Sequence, residues 1–126
     1  MVAMTLITAA VTPAGADQSP PADIAAALQA RDPRQSTQQL YEDCTSTIPE
    51  RQMFCDGFII ATWDHMWLLG ASKSTRAMLG ICTNTPVSYG AAEQAFKNWA
   101  QKHPEKWNVD MMYGAMWALQ EVWPCK

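Results

Sequence analysis

The stretch "FCDGFIIATWDHMWLL" (residues 54–69) decides how this chain is read. Apolar side chains fall on nearly every face of a helix drawn through it, yet it also holds Asp56, Asp64, His65 and the helix-weakening Gly57. Three readings compete: a membrane helix, a catalytic Asp–His pair, or the central helix of a small bundle. The stretch falls short of the ~20 residues that span a bilayer, and two aspartates make insertion costly. Adjacent residues on a helix diverge by about 100°, so Asp64 is badly placed to orient His65 as a base. The bundle helix is the reading left.

The flanks support it. Pro49, with Glu50 beside it, suits a first helical turn, so a helix is expected from Pro49 to about Leu69. Upstream, "STQQLYEDCTST" (36–47) has a Ser/Thr start and apolar spacing for another helix. Downstream, "GASKSTRAMLGIC" (70–82) reads as a glycine-bracketed polar, basic loop with at most one helical turn at 75–79. Ser88 then caps a third long helix, with Ala92, Ala95, Phe96 and Trp99 on one face, stopped by Lys102-His103-Pro104. Asn108 or Asp110 caps a fourth, Met111 to Trp123, whose expected apolar stripe is Met112, Ala115, Met116, Leu119 and Trp123; Pro124 ends it. No strand-like alternation is present. The expected fold is all-α, a small antiparallel four-helix bundle.

Cys44, Cys55, Cys82 and Cys125 form neither a C-x-x-C pair nor a zinc spacing, and two disulfides are the economical use of them. In an up-down-up-down arrangement the end of the first helix meets the start of the second, and the start of the third meets the end of the fourth. That predicts Cys44–Cys55 and Cys82–Cys125. Other pairings would join opposite ends of helices ~20 Å long, against a Cα–Cα reach below ~7 Å.

Composition bounds the function. The 126 residues, 48% hydrophobic and 17% charged, suffice for one domain with a real core, and six Trp and eight Met give that core large, irregular side chains. With a formal charge of −3 and no basic run, the chain has no footprint for nucleic acid. "MVAMTLITAAVTPAGA" (1–16) reads as an export signal with an A-x-A-like end at Ala14-Gly15-Ala16, although it lacks Lys and Arg in its n-region. Residues 17–35 are then a mobile leader and 36–126 the folded domain. Export to an oxidising periplasm agrees with disulfide use, and no membrane span remains after signal removal.

With helices and cysteines placed, "FCDGFIIATWD" (54–64), "CTNTPVS" (82–88), "WAQKHPEKW" (99–107) and "ALQEVWPC" (118–125) together resemble the Rap/Tai family of type VI secretion amidase immunity proteins. The resemblance runs from about Leu40 to Cys125 and rests on Phe54, Cys55, Gly57, Phe58, Asp64, His103, Pro104, Ala118, Leu119, Trp123, Pro124 and Cys125. Two positions depart from the pattern: Ala61 stands where the family usually has glycine, and Cys-x-Pro is stretched to Cys82-Thr-Asn-Thr-Pro86. The resemblance implies a small exported helical protein, homodimeric, that occludes a cognate peptidoglycan amidase effector with a protruding loop.

The residues themselves favour binding over catalysis. No G-x-S-x-G or phosphate loop is present, only two histidines exist, and no metal or cofactor is expected. Gly57 and Ala61 are expected to let a neighbouring helix approach closely. Asp64 would then accept hydrogen bonds from that neighbour, from a backbone N–H, a Trp indole or Tyr113. His103 and Pro104 read as a helix stop. Trp63 and Trp67 are expected on a packed face, with excess apolar surface left for a dimer. The partner-binding candidates are Ser72, Lys73, Ser74, Thr75 and Arg76, on a loop braced by the adjacent Cys82. A second reading, from another class, is a periplasmic stress chaperone or envelope accessory protein of similar build, binding many clients weakly.

Overall fold

A computed structural model describes residues 35–126; the expected signal peptide and nearly all of the expected leader lie outside the described residues. Five helices follow in order: α1 (Thr37–Cys44), α2 (Pro49–Ala71), α3 (Arg76–Leu79), α4 (Tyr89–Lys102) and α5 (Met111–Val122), with a 3-10 turn at Pro104–Lys106. The fold is all-α, and the described residues hold five helices where four were expected, because residues 76–79 close a separate turn of helix. Among the described residues the only strand-like feature is an isolated bridge between Ser36 and Asp110.

Local chemistry sets the helix starts. The Ser36 hydroxyl accepts from the Gln39 N–H, Ser88 from Ala91 and the Asp110 carboxylate from Met112, each satisfying an N–H that the first turn leaves orphaned. Helix α2 has no side-chain cap and begins on Pro49, which has no N–H to satisfy.

The core draws on every long helix. Leu40 (α1), Ile59 and Met66 (α2), Phe96 (α4) and Leu119 (α5) are fully buried, joined by Ile81 from the α3–α4 connection. The buried stripe of α5 differs from the expected one. Met111, Gly114, Ala115, Ala118 and Leu119 face inward, whereas Met112 is exposed and Met116 only partly buried. Apolar residues cover two adjacent faces of this helix, so its periodicity does not choose between them. Gly114 does: a Cβ there would lie 2.8 Å from Thr37 Cγ2, so α1 packs where α5 has no side chain.

Helix α1 is further held by residues distant in sequence. The Thr37 and Gln38 N–H groups donate to the carbonyls of Val109 (2.8 Å) and Trp107 (3.1 Å). The Thr37 hydroxyl also donates to Val109 O at 3.0 Å, and Tyr41 stacks on Trp107 at 5.9 Å.

The disulfides are Cys44–Cys55 and Cys82–Cys125, with Cα–Cα distances of 5.0 and 4.8 Å, the pairs that the helix-end argument requires. Beside the first, buried Asp43 accepts from Arg51 Nε at 2.6 Å and from the Gln39 amide at 3.1 Å, tying the α1–α2 corner.

Candidate functional site

The turn after α2 is built from its backbone outward. Thr75 Oγ1 donates to the Leu69 carbonyl at 2.8 Å, the Arg76 N–H reaches Ser72 O at 3.0 Å, and the Ser72 and Ser74 hydroxyls pair at 2.9 Å. The chain leaving the turn is tied down by further hydrogen bonds. Ile81 N–H donates to Met66 O (3.2 Å), Cys82 N–H to Trp123 O (3.1 Å), and the Gln120 amide to Met78 O (2.8 Å). Ser72, Lys73 and Ser74 are exposed on this turn, while Thr75 and Arg76 are half-buried at its base. The five candidate residues therefore share one turn, and the chain that leaves it is joined to the C-terminal segment by the Cys82–Cys125 bond.

Gly57 and Asp64 lie elsewhere, on an exposed face of α2. Among the described residues no helix packs closely at Gly57 and Ala61, where close packing was expected: a Cβ on Gly57 would meet nothing within 4 Å, and Ala61 is exposed. Around them stand Met53 (70% exposed), Phe54 (48%) and Leu68 (63%). The same helix buries Cys55, Ile59, Thr62, Trp63 and Met66 on its other side. Trp63 packs edge-on against Trp123 at 4.9 Å, but Trp67, expected on the same packed face, is 55% exposed.

Asp64 does contact a neighbouring helix, through a residue other than those expected. The Tyr89 hydroxyl, at the start of α4, donates to Asp64 Oδ1 at 3.3 Å, whereas Tyr113 stacks on Trp117 at 6.1 Å. The Asp64 charge, then this hydrogen bond, raise the Tyr89 pKa above its ordinary value, because ionising the phenol would set two anions side by side.

His103 is the C-cap of α4, and Pro104 opens the 3-10 turn. The imidazole lies 4.8 Å from the Trp99 ring, with Nδ1 3.0 Å from Glu105 Oε1 and Nε2 3.7 Å from Glu121 Oε2. The hydrogen bond from His103 is the main reason that the Glu105 carboxyl lies below its ordinary range. These are contacts that close a helix.

Among the described residues one grouping, Cys55, Asp56 and Glu93, brings metal-type donors within 4.8 Å of one another. Its sulfur is committed to the disulfide, and Glu93 is paired with Lys97 at 3.0 Å. It lacks a thiolate and a free carboxylate pair. No described helix is long and apolar enough to cross a membrane.

Sequence reasoning missed two features of the turn: the backbone contact between Gly70 and Gly80, and the cleft that Arg76 shares with Trp67. The bracketing glycines signalled the first; no sequence pattern signalled the second.

Comparison with curated proteins and with solved structures yields no significant match. A family model does match, over residues 36–125, which span all five helices and both disulfides. Its description is Rap1a immunity proteins, and this chain belongs to that family.

Proposed function

We propose that this protein is a periplasmic immunity protein that binds and occludes a peptidoglycan amidase effector of a type VI secretion system, without catalysis of its own. Membership of the Rap1a immunity family is the observation that carries the reading. The two disulfides agree with it, since such bonds persist in oxidising compartments. In this reading residues 1–16 direct export, and the four longer helices serve as an antiparallel bundle scaffold. The protrusion Ser72–Lys73–Ser74–Thr75–Arg76 enters the effector's cleft. Its braced frame keeps the ordering cost of binding low.

The exposed face of α2 serves as a homodimer interface. Met53, Phe54 and Leu68 supply apolar area, and Gly57 and Ala61 allow two copies of the helix to approach closely.

The test is a peptidoglycan-cleavage assay of the cognate amidase titrated with the purified chain. Stoichiometric loss of cleavage is expected. A fully active amidase, together with capture of many unrelated clients from periplasmic extract, overturns the reading in favour of the chaperone.

A further inference from the structure

A cleft of about 410 Å³ opens beside the 72–76 turn, with Arg76 in its lining. Trp67, Arg76, Thr83, Asn84 and Lys126 contribute its side-chain chemistry, and no acidic residue lines it. Three other cations have partners: Arg51 pairs with Asp43, Lys97 with Glu93, and Lys106 lies over the Trp117 ring. Arg76 and Lys126 have no acidic partner among the described residues, and the Arg76 Nε–H is shielded from solvent without an acceptor.

We infer that this cleft receives a carboxylate side chain from an acidic segment of the protein that the domain binds. Guanidinium presents a planar fork of donors that matches a carboxylate, and Lys126 adds a second positive charge. Thr83 and Asn84 carry polar groups able to hydrogen-bond the remaining lone pairs. Trp67, more than half exposed at the rim, supplies apolar area over the incoming segment; Trp and Arg together are the residue types on which interface energy concentrates. The walls are fixed before binding. Cys82 is bonded to Cys125, and the Gly70 and Gly80 backbones are in contact beneath the cleft. The inference deepens the proposed function and rests on it only for the partner being a protein.

The test needs no effector, so its outcome is separate from that of the amidase assay. The ¹⁵N-labelled chain is titrated with a capped glutamate-rich peptide, a capped lysine-rich peptide and inorganic phosphate, with NMR as the readout. The expected result is saturable shifts with the glutamate peptide alone, at the Trp67 indole N–H, the Arg76 Nε–H and the Thr83 and Asn84 amides. Affinity should fall on the order of tenfold in Arg76→Gln combined with Lys126→Gln, because charge-assisted hydrogen bonds are lost. Should that double variant fail to fold, Lys126→Gln alone and a rise in ionic strength must each weaken the binding. Equal shifts with phosphate would reassign the cleft to a free anion. Equal shifts with the lysine peptide, or none with the glutamate peptide, would overturn the inference.

Discussion

Gly70 and Gly80 lie backbone against backbone: a Cβ built on Gly80 would fall 2.5 Å from the Gly70 Cα, and one on Gly70 would strike the Ile81 carbonyl oxygen. Neither glycine has a positive φ, so proximity rather than backbone conformation demands glycine here. Gly70→Ala and Gly80→Ala should each destabilise the protein by about 2–3 kcal/mol, as overpacking against rigid backbone does. Gly57→Ala, in open space on α2, should instead be neutral or stabilise by up to about 1 kcal/mol through helix propensity. Urea titration of the three variants decides; equal effects at all positions would refute the contact.

Thr37 and Gly114 form a second close pair, and they should couple. Gly114→Ala forces its new methyl into the Thr37 side chain, while Thr37→Ala removes a hydroxyl that bonds Val109 O. Each single variant should cost about 1–3 kcal/mol. The double variant should cost less than their sum by about 1 kcal/mol, since the smaller side chain relieves the clash. Strict additivity in thermal or urea unfolding would show that the two do not meet.

The two disulfides should differ in weight. Cys82–Cys125 closes a separation of 43 residues and Cys44–Cys55 one of 11. Chain-entropy arguments assign roughly 4 and roughly 3 kcal/mol to loops of these lengths. Paired Cys→Ser replacement should therefore lower stability more at Cys82 and Cys125. That replacement should also raise hydrogen exchange across residues 72–84, whose frame the bond completes.

The Tyr89 phenol should titrate above the ordinary value of about 10. Asp64→Asn removes the charge that holds it there and should bring the titration back down. The sign for stability follows: a raised folded-state pKa contributes stability present below the ordinary value and lost as pH rises through the folded one. Ultraviolet difference titration of the wild type against Asp64→Asn measures the shift; unchanged curves would mean that the 3.3 Å hydrogen bond does not persist in solution.

Two surface variants separate the proposed interfaces. Lys73→Ala should weaken inhibition of the cognate amidase while leaving oligomeric state unchanged, because Lys73 is exposed on the turn after α2 and away from the α2 face. Ala61→Glu places a charge at the centre of the exposed α2 face and should leave monomer only, as judged by light scattering. Inhibition untouched by Lys73→Ala would remove that side chain from the effector contact.

Much of the fold was legible locally. The capping residues Ser36 and Ser88 and the helix-opening Pro49 act within a turn of where they stand, so those helix starts could be read without the rest of the chain; for α5 the same rule left Asn108 and Asp110 open, and Asp110 is the cap. Disulfide pairing followed because helix length exceeds the reach of a bridge. The short helix at Arg76–Leu79 was legible only as a turn, since four residues make too few internal hydrogen bonds to announce themselves.

Local signals carried the helical class, the starts of the long helices and the cysteine partners. Tertiary structure decided which faces those helices bury. Helix α2 is apolar all round, so its pattern carries no direction, and only packing shows that Ile59, Trp63 and Met66 go inward while Met53, Phe54 and Leu68 stay out. The same holds for Gly114 turned toward Thr37 and for Arg76 beside Trp67. Each is a meeting of residues distant in sequence or on separate elements, governed by shape complementarity, to which the local rules of caps, turns and periodicity are blind.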